Sequence, residues 1–243
     1  MLRMSVERVR GPNRKRLFAA LGAVGIVVGL LLAAPGAYAA QSPAAPKAQF
    51  FPSFGLPYAP GQAAYSSGIH SDDGATGPKN AIDLVPQDGV VRAALGGTVH
   101  VWQCAGGPWV TVDHAEGWRT GYYHMENIQV GDGQQVAQGT VLGTIGNALP
   151  CGGSSTGAHV HFSLWALTAT PAQRAADPAL AGDWDGVSYE TLSTHVAAVL
   201  AEPVNGKVFG GWQFFEGAQQ YSGYTVRQSD GWTVPFPGTF LYG

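Results

Sequence analysis

Cysteine is scarce in this chain: Cys104 and Cys151 are the only two in 243 residues. With no CxxC pair, they are poor material for a cysteine-ligated zinc module. They suit a single disulfide in an exported protein. Such a bridge closes a 47-residue loop and adds about 4 kcal/mol on a chain-entropy estimate. Positive charge is scarce too. Of the 13 Lys and Arg, six crowd the start of the chain (Arg3, Arg8, Arg10, Arg14, Lys15, Arg16), where Glu7 is the only acid. Beyond residue 39 the balance is about −8 with no Lys/Arg cluster, which argues against a nucleic-acid partner. Two related segments, "QDGVVRAALGGTVHV" and "VGDGQQVAQGTVLGTIG", carry no lysine at a hairpin tip, which excludes a lipoyl-type carrier. Helical periodicity is missing before about Thr191.

What is present begins with an export signal. The basic start leads into an apolar run over 17–34 and then Ala37-Tyr38-Ala39, a small-x-small cleavage site. The run is long enough to span a bilayer as an uncleaved anchor, but the Pro35-Gly36 break and the cleavage site favour removal after Ala39. No cysteine near the cut could carry a lipid. The expected organisation is a signal peptide over 1–39, a flexible Pro/Ala-rich lead over 40–50, a core over 51–167 and a C-terminal extension over 168–243.

The core consists of short apolar runs cut by glycine, of which the chain has 35. "AIDLV", "GGTVHVW", "PWVTVDH", "RTGYYHM", "TVLGTIG" and "HVHFSLW" are β-branched or aromatic and strand-length, bounded by tight-turn residues. They predict an all-β antiparallel sandwich or barrel. In the extension, "TATPAQRAADPALAGDWDG" reads as a loop, "YETLSTHVAAVLAE" as one short helix, and the aromatic runs after "GKVFGGWQFFEG" as further strands of the same sheet or of a small appended unit.

The chemistry lies in the histidines. His159 and His161 are two apart in an apolar strand and therefore share a face. His70 precedes a Gly/Pro/Asn loop that ends at Asp83, a carboxylate inside the apolar run "AIDLV". Such a carboxylate is costly unless paired or bound to a metal. Asp72 and Asp73, close to His70, are the alternative carboxylates. His124 follows Tyr122 and Tyr123 in "GYYHMEN". Two imidazoles and a carboxylate with an open position are the make-up of a catalytic zinc site. Further neutral imidazoles nearby suit acid–base work. His100 and His114 read as structural or exposed, and His195 as a surface residue.

His70-x12-Asp83, Tyr123-His124 and His159-x-His161, in this order, resemble the lysostaphin/LytM-type zinc metallopeptidases of peptidase family M23. The long first gap resembles the staphylolysin branch, whereas most of the family has a short His-x3-Asp. The resemblance is good over 65–165 and looser in the tail. It implies an antiparallel β fold with a groove over Zn2+, the ion held by His70, Asp83 and His161. It also implies a catalytic pair, His124 and His159. Tyr122 and Tyr123 are candidates to position substrate, with one of the two expected in the core. The implied activity is a secreted endopeptidase cutting at glycine in peptidoglycan cross-bridges or stems, or in glycine-rich proteins. Its expected partners are those substrates, with no nucleic acid, membrane contact only through the signal, and a monomeric state. The alternative is a wall-binding or amidase-activating protein on the same fold.

Overall fold

The glycine-punctuated runs form strands, in the order β1 (Ala63–His70), β2 (Ala81–Pro86), β3 (Val90–Arg92), β4 (Gly97–Cys104), β5 (Gly107–Asp113), β6 (Trp118–Tyr123), β7 (Gln135–Val136), β8 (Val141–Thr144) and β9 (Val160–Ala166). This computed structural model describes residues 50–243; the expected signal and all but the last residue of the lead lie outside the described residues. Five further strands follow: β10 (Val208–Phe209), β11 (Trp212–Glu216), β12 (Gly223–Arg227), β13 (Thr233–Pro235) and β14 (Gly238–Leu241).

One eight-stranded antiparallel sheet, ordered β14-β1-β2-β9-β6-β5-β4-β7, carries the fold. A four-stranded sheet, β10-β11-β12-β13, and the pair β3-β8 accompany it. The extension therefore does both things its sequence allows. Its last strand joins the large sheet beside β1, and its other strands make a sheet of their own.

Strand alternation divides β9 between two cores. Val160, Phe162 and Leu164 join one cluster with Phe54, Val110, Phe209 and Phe214. Trp165, from the opposite face, joins Trp102, Trp109, Tyr123 and Trp184. That second face is covered by the segment after β9. The sequence signals a loop there, yet the structure holds α1 (Pro171–Ala176). Thr170 and Gln173 close a reciprocal capping box and Pro171 opens the first turn, so one short helical turn is locally satisfied. The expected later helix is present as a π-helical turn, Thr191–Val196, running into α2 (Ala197–Leu200), with Leu192, Val196 and Leu200 buried. Arg119 ties this cover to the sheet. Buried in β6, it holds Asp113 through two nitrogens, donates to the Gly182 carbonyl at 2.7 Å and lies 4.2 Å over the Trp184 ring.

His114 is structural, as its context suggests. Its Nδ1–H donates to the Gly96 carbonyl at 3.0 Å, which leaves Nε2 to accept from Thr120 Oγ1 at 2.8 Å. The Tyr122 hydroxyl lies 2.9 Å from Thr120 Oγ1 and accepts from the Ala94 amide at 2.8 Å. Burial lowers the His114 pKa from its usual 6.5, which favours the neutral imidazole. A depressed folded-state pKa gives stability that is complete above pH 6.5 and falls as pH drops toward the folded value. In urea titrations from about pH 7.5 to pH 5, the advantage of the wild type over His114→Gln should therefore shrink as pH falls. A constant gap would contradict this role.

Candidate metal and catalytic site

Register builds the site. Gly68 on β1 pairs with Asp83 on β2, Asp83 with His161 on β9, and His161 with Tyr123 on β6. Directly opposed residues share a face, so this row lies on one side of the sheet. His70 ends β1 and His124 follows β6, with a left-handed φ of 64° that is uncommon outside glycine. His159 precedes β9, its amide bonded to the Gly146 carbonyl at 3.0 Å.

Three imidazoles converge on one carboxylate oxygen. Asp83 Oδ1 lies 2.9 Å from His70 Nε2, 3.2 Å from His161 Nδ1 and 3.5 Å from His159 Nε2. The second ring nitrogens decide what this means. His70 Nδ1 faces the Ser71 carbonyl at 2.8 Å and must donate to it. His161 Nε2 faces the Asp72 carboxylate at 2.8 Å and must donate there. Both inward nitrogens therefore present lone pairs to a carboxylate, an arrangement that requires a cation between them. Protons could supply it only as two buried imidazolium ions. A single divalent ion satisfies all three groups, and the ligand atoms of His70, Asp83 and His161 lie within 4.8 Å of one another. The donor set suits zinc.

The electrostatics state the same demand. Burial alone would raise the Asp83 pKa, yet the surrounding His70, His159 and His161 hold it well below the usual carboxylate range. Burial alone would lower that of His161, yet Asp72 and Asp83 raise it to about 10. The two remaining imidazoles diverge. Burial lowers His124 to about 4, while its Nδ1–H donates to the Ala148 carbonyl at 2.8 Å and leaves Nε2 a base. His159 is pulled down by burial but raised on balance by Asp83 and the Gly157 carbonyl. Their ring centroids lie 4.6 Å apart.

These residues line a groove of about 430 Å³, walled by residues 153–156, Tyr189 and Tyr221. Tyr221 comes from the β11–β12 connection and stacks on His70 at 4.3 Å between centroids. Gly68 makes this possible: a Cβ there would sit 2.7 Å from the Tyr221 backbone. Neither Tyr189 nor Tyr221 has a local sequence signal, because both arrive from more than a hundred residues away from Asp72 or His70. Of the two tyrosines that are candidates to position substrate, Tyr122 is the one in the core, away from the groove. It is one residue out of phase with the His161 row and points into the opposite core, fully buried. Tyr123 shares the His161 face, and its hydroxyl accepts from the Cys151 amide at 2.8 Å and donates to the Gly152 carbonyl at 3.0 Å. It anchors the groove wall rather than lying open in it. Asp73 caps its own loop through Ala75 and Thr76.

Residues 77–178 match peptidase family M23, a stretch that contains Asp83, His124, His159 and His161. The chain carries a peptidase family M23 domain. It is 44% identical over 121 residues to protease LasA of Pseudomonas aeruginosa, 45% of this chain but only 28% of that protein. It is 31% identical over 121 residues to the beta-lytic metalloendopeptidase of Lysobacter enzymogenes, covering 45% of this chain and 66% of the relative. The chain thus spans between a quarter and a third of LasA and about two thirds of the second relative. The solved structure of the deep-sea M23 metalloprotease pseudoalterin superposes with a TM-score of 0.59 at 25% identity, over 80% of this chain and 99% of that one. Its coverage takes in more of this chain than the family match does.

Cys104 and Cys151 are bonded, joining the end of β4 to the loop that Tyr123 anchors. At a sequence separation of 47, a Cys104→Ser/Cys151→Ser variant should lose about 4 kcal/mol in urea unfolding. A loss below about 1 kcal/mol would contradict the chain-entropy account.

Proposed function

We propose that this chain is a secreted zinc endopeptidase that hydrolyses peptide bonds at glycine in peptidoglycan cross-bridges or stems, and in glycine-rich proteins of similar backbone. The observation that carries the reading is the convergence of two lone-pair imidazole nitrogens on the Asp83 carboxylate at the floor of an open groove. Family membership and the two protease relatives support the reaction class.

His70, Asp83 and His161 hold the ion. When bound, zinc supplies Lewis acidity toward a scissile carbonyl and lowers the pKa of a water. The chain's own residues do the rest. His124 presents Nε2 as a proton acceptor, its ring fixed by the Ala148 carbonyl. His159, fixed through Nδ1 by the Gly157 carbonyl at 2.7 Å, holds its Nε2 beside Asp83 and serves as the hydrogen-bond donor to developing negative charge. The Tyr221 ring, stacked on His70, and residues 153–156 line the groove. A backbone without side chains enters such a groove most readily, which gives glycine its preference. The export signal and the disulfide agree with a secreted enzyme.

Incubating purified sacculi with the protein, with and without a zinc chelator, and sequencing the released peptides by mass spectrometry tests this. Chelator-sensitive new termini at glycine are expected, and absence of new termini from sacculi and from glycine-rich protein alike would sink the reading. His161→Ala should abolish both zinc retention and cleavage. His124→Ala should keep its zinc and lose roughly 10²- to 10⁴-fold in kcat.

A further inference from the structure

We infer that Asp72 is a positioning residue for the metal ligand His161, and that the long His70–Asp83 connection exists in this chain partly to deliver it. The inference rests on the zinc reading of the site. Asp72 lies two residues after His70, and its side chain is 5% exposed, which is rare for a carboxylate. Its Oδ1 accepts from His161 Nε2–H at 2.8 Å, on the side of the imidazole away from Asp83. Its Oδ2 accepts from Asn80 Nδ2 at 2.9 Å. Its own carbonyl takes the Tyr189 hydroxyl. Asn80, fully buried, stands on the same connection and is held by its carbonyl bond to the Leu164 amide at 2.9 Å. Both carboxylate oxygens are thus held, one by His161 and one by Asn80, while Tyr189 holds the backbone beside them.

The consequences are chemical. A carboxylate on the far nitrogen fixes the His161 tautomer, so that Nδ1 is the nitrogen offered inward, and raises the basicity of that ligand. It also brings a second negative charge to the site. Asp83 and Asp72 together balance a divalent cation that two neutral imidazoles leave uncompensated. The length of the connection lets Asn80, eight residues after Asp72, fold back onto its carboxylate.

The test measures zinc affinity by chelator competition, together with the visible spectrum of the Co2+-substituted protein, which reports ligand geometry independently of activity. Wild type is measured first: failure to bind either ion would overturn the zinc reading itself. Given wild-type binding, Asp72→Ala should bind zinc 10- to 100-fold more weakly and show an altered Co2+ spectrum, while the apo proteins unfold at similar urea concentrations. Asp72→Asn, which keeps the shape and one acceptor but not the charge, should fall between, and it serves if Asp72→Ala does not fold. Wild-type affinity and spectrum in the folded variant would overturn the inference. So would a loss of affinity matched by an equal loss of apo stability, since that marks a merely structural role.

Discussion

A carboxylate inside an apolar sheet is the constraint around which this molecule is arranged. Asp83 sits in β2 between Ile82 and Leu84, both fully buried. Burying its charge without compensation would cost several kcal/mol. The chain answers with imidazoles from three further places, the end of β1, the start of β9 and the residue before it, all aimed at one oxygen. It then fixes the outer nitrogens of the two inner rings with acceptors. That last step makes the cluster fit a cation. Rings whose outer nitrogens must donate can offer only lone pairs inward.

The rest of the fold keeps these rings from moving. The direct pairing of Asp83 with His161 fixes two of the proposed ligands by backbone register alone. The tryptophan-rich cover, held to the sheet by Arg119, closes the face below Tyr123 and Trp165. The disulfide and the Tyr123 hydroxyl pin the loop that forms one groove wall. The C-terminal strands supply the other wall, through Tyr221. Residues far outside the stretch matched to the family therefore shape the opening to the site.

Much of this was legible in the sequence, and the reasons are specific. His159 and His161 share a face because strands repeat every two residues, and "HVHFSLW" is unmistakably strand-like. Asp83 stood out because its neighbours are apolar. The all-β class followed from strand-length runs and glycine turns, as the antiparallel sheets bear out. What failed did so where the answer depends on phase or on distant partners. Tyr122 and Tyr123 differ only in which face they present, and that phase is set by pairing with β9. The capping box of α1 was masked by the prolines and aspartates around it. Asp72 stood in the sequence only as an alternative ligand to Asp83, because Asn80 and His161 reach it only in the folded chain.

Anomalous diffraction at the zinc edge, from crystals grown with the ion, tests most directly whether the Asp83 cluster is a metal centre with a defined ligand set. One strong peak is expected about 2.0–2.2 Å from His70 Nε2, His161 Nδ1 and an Asp83 oxygen, with Asp72 still bonded to the far side of His161. No peak in the groove, or a peak ligated by Asp72 in place of Asp83, would contradict it.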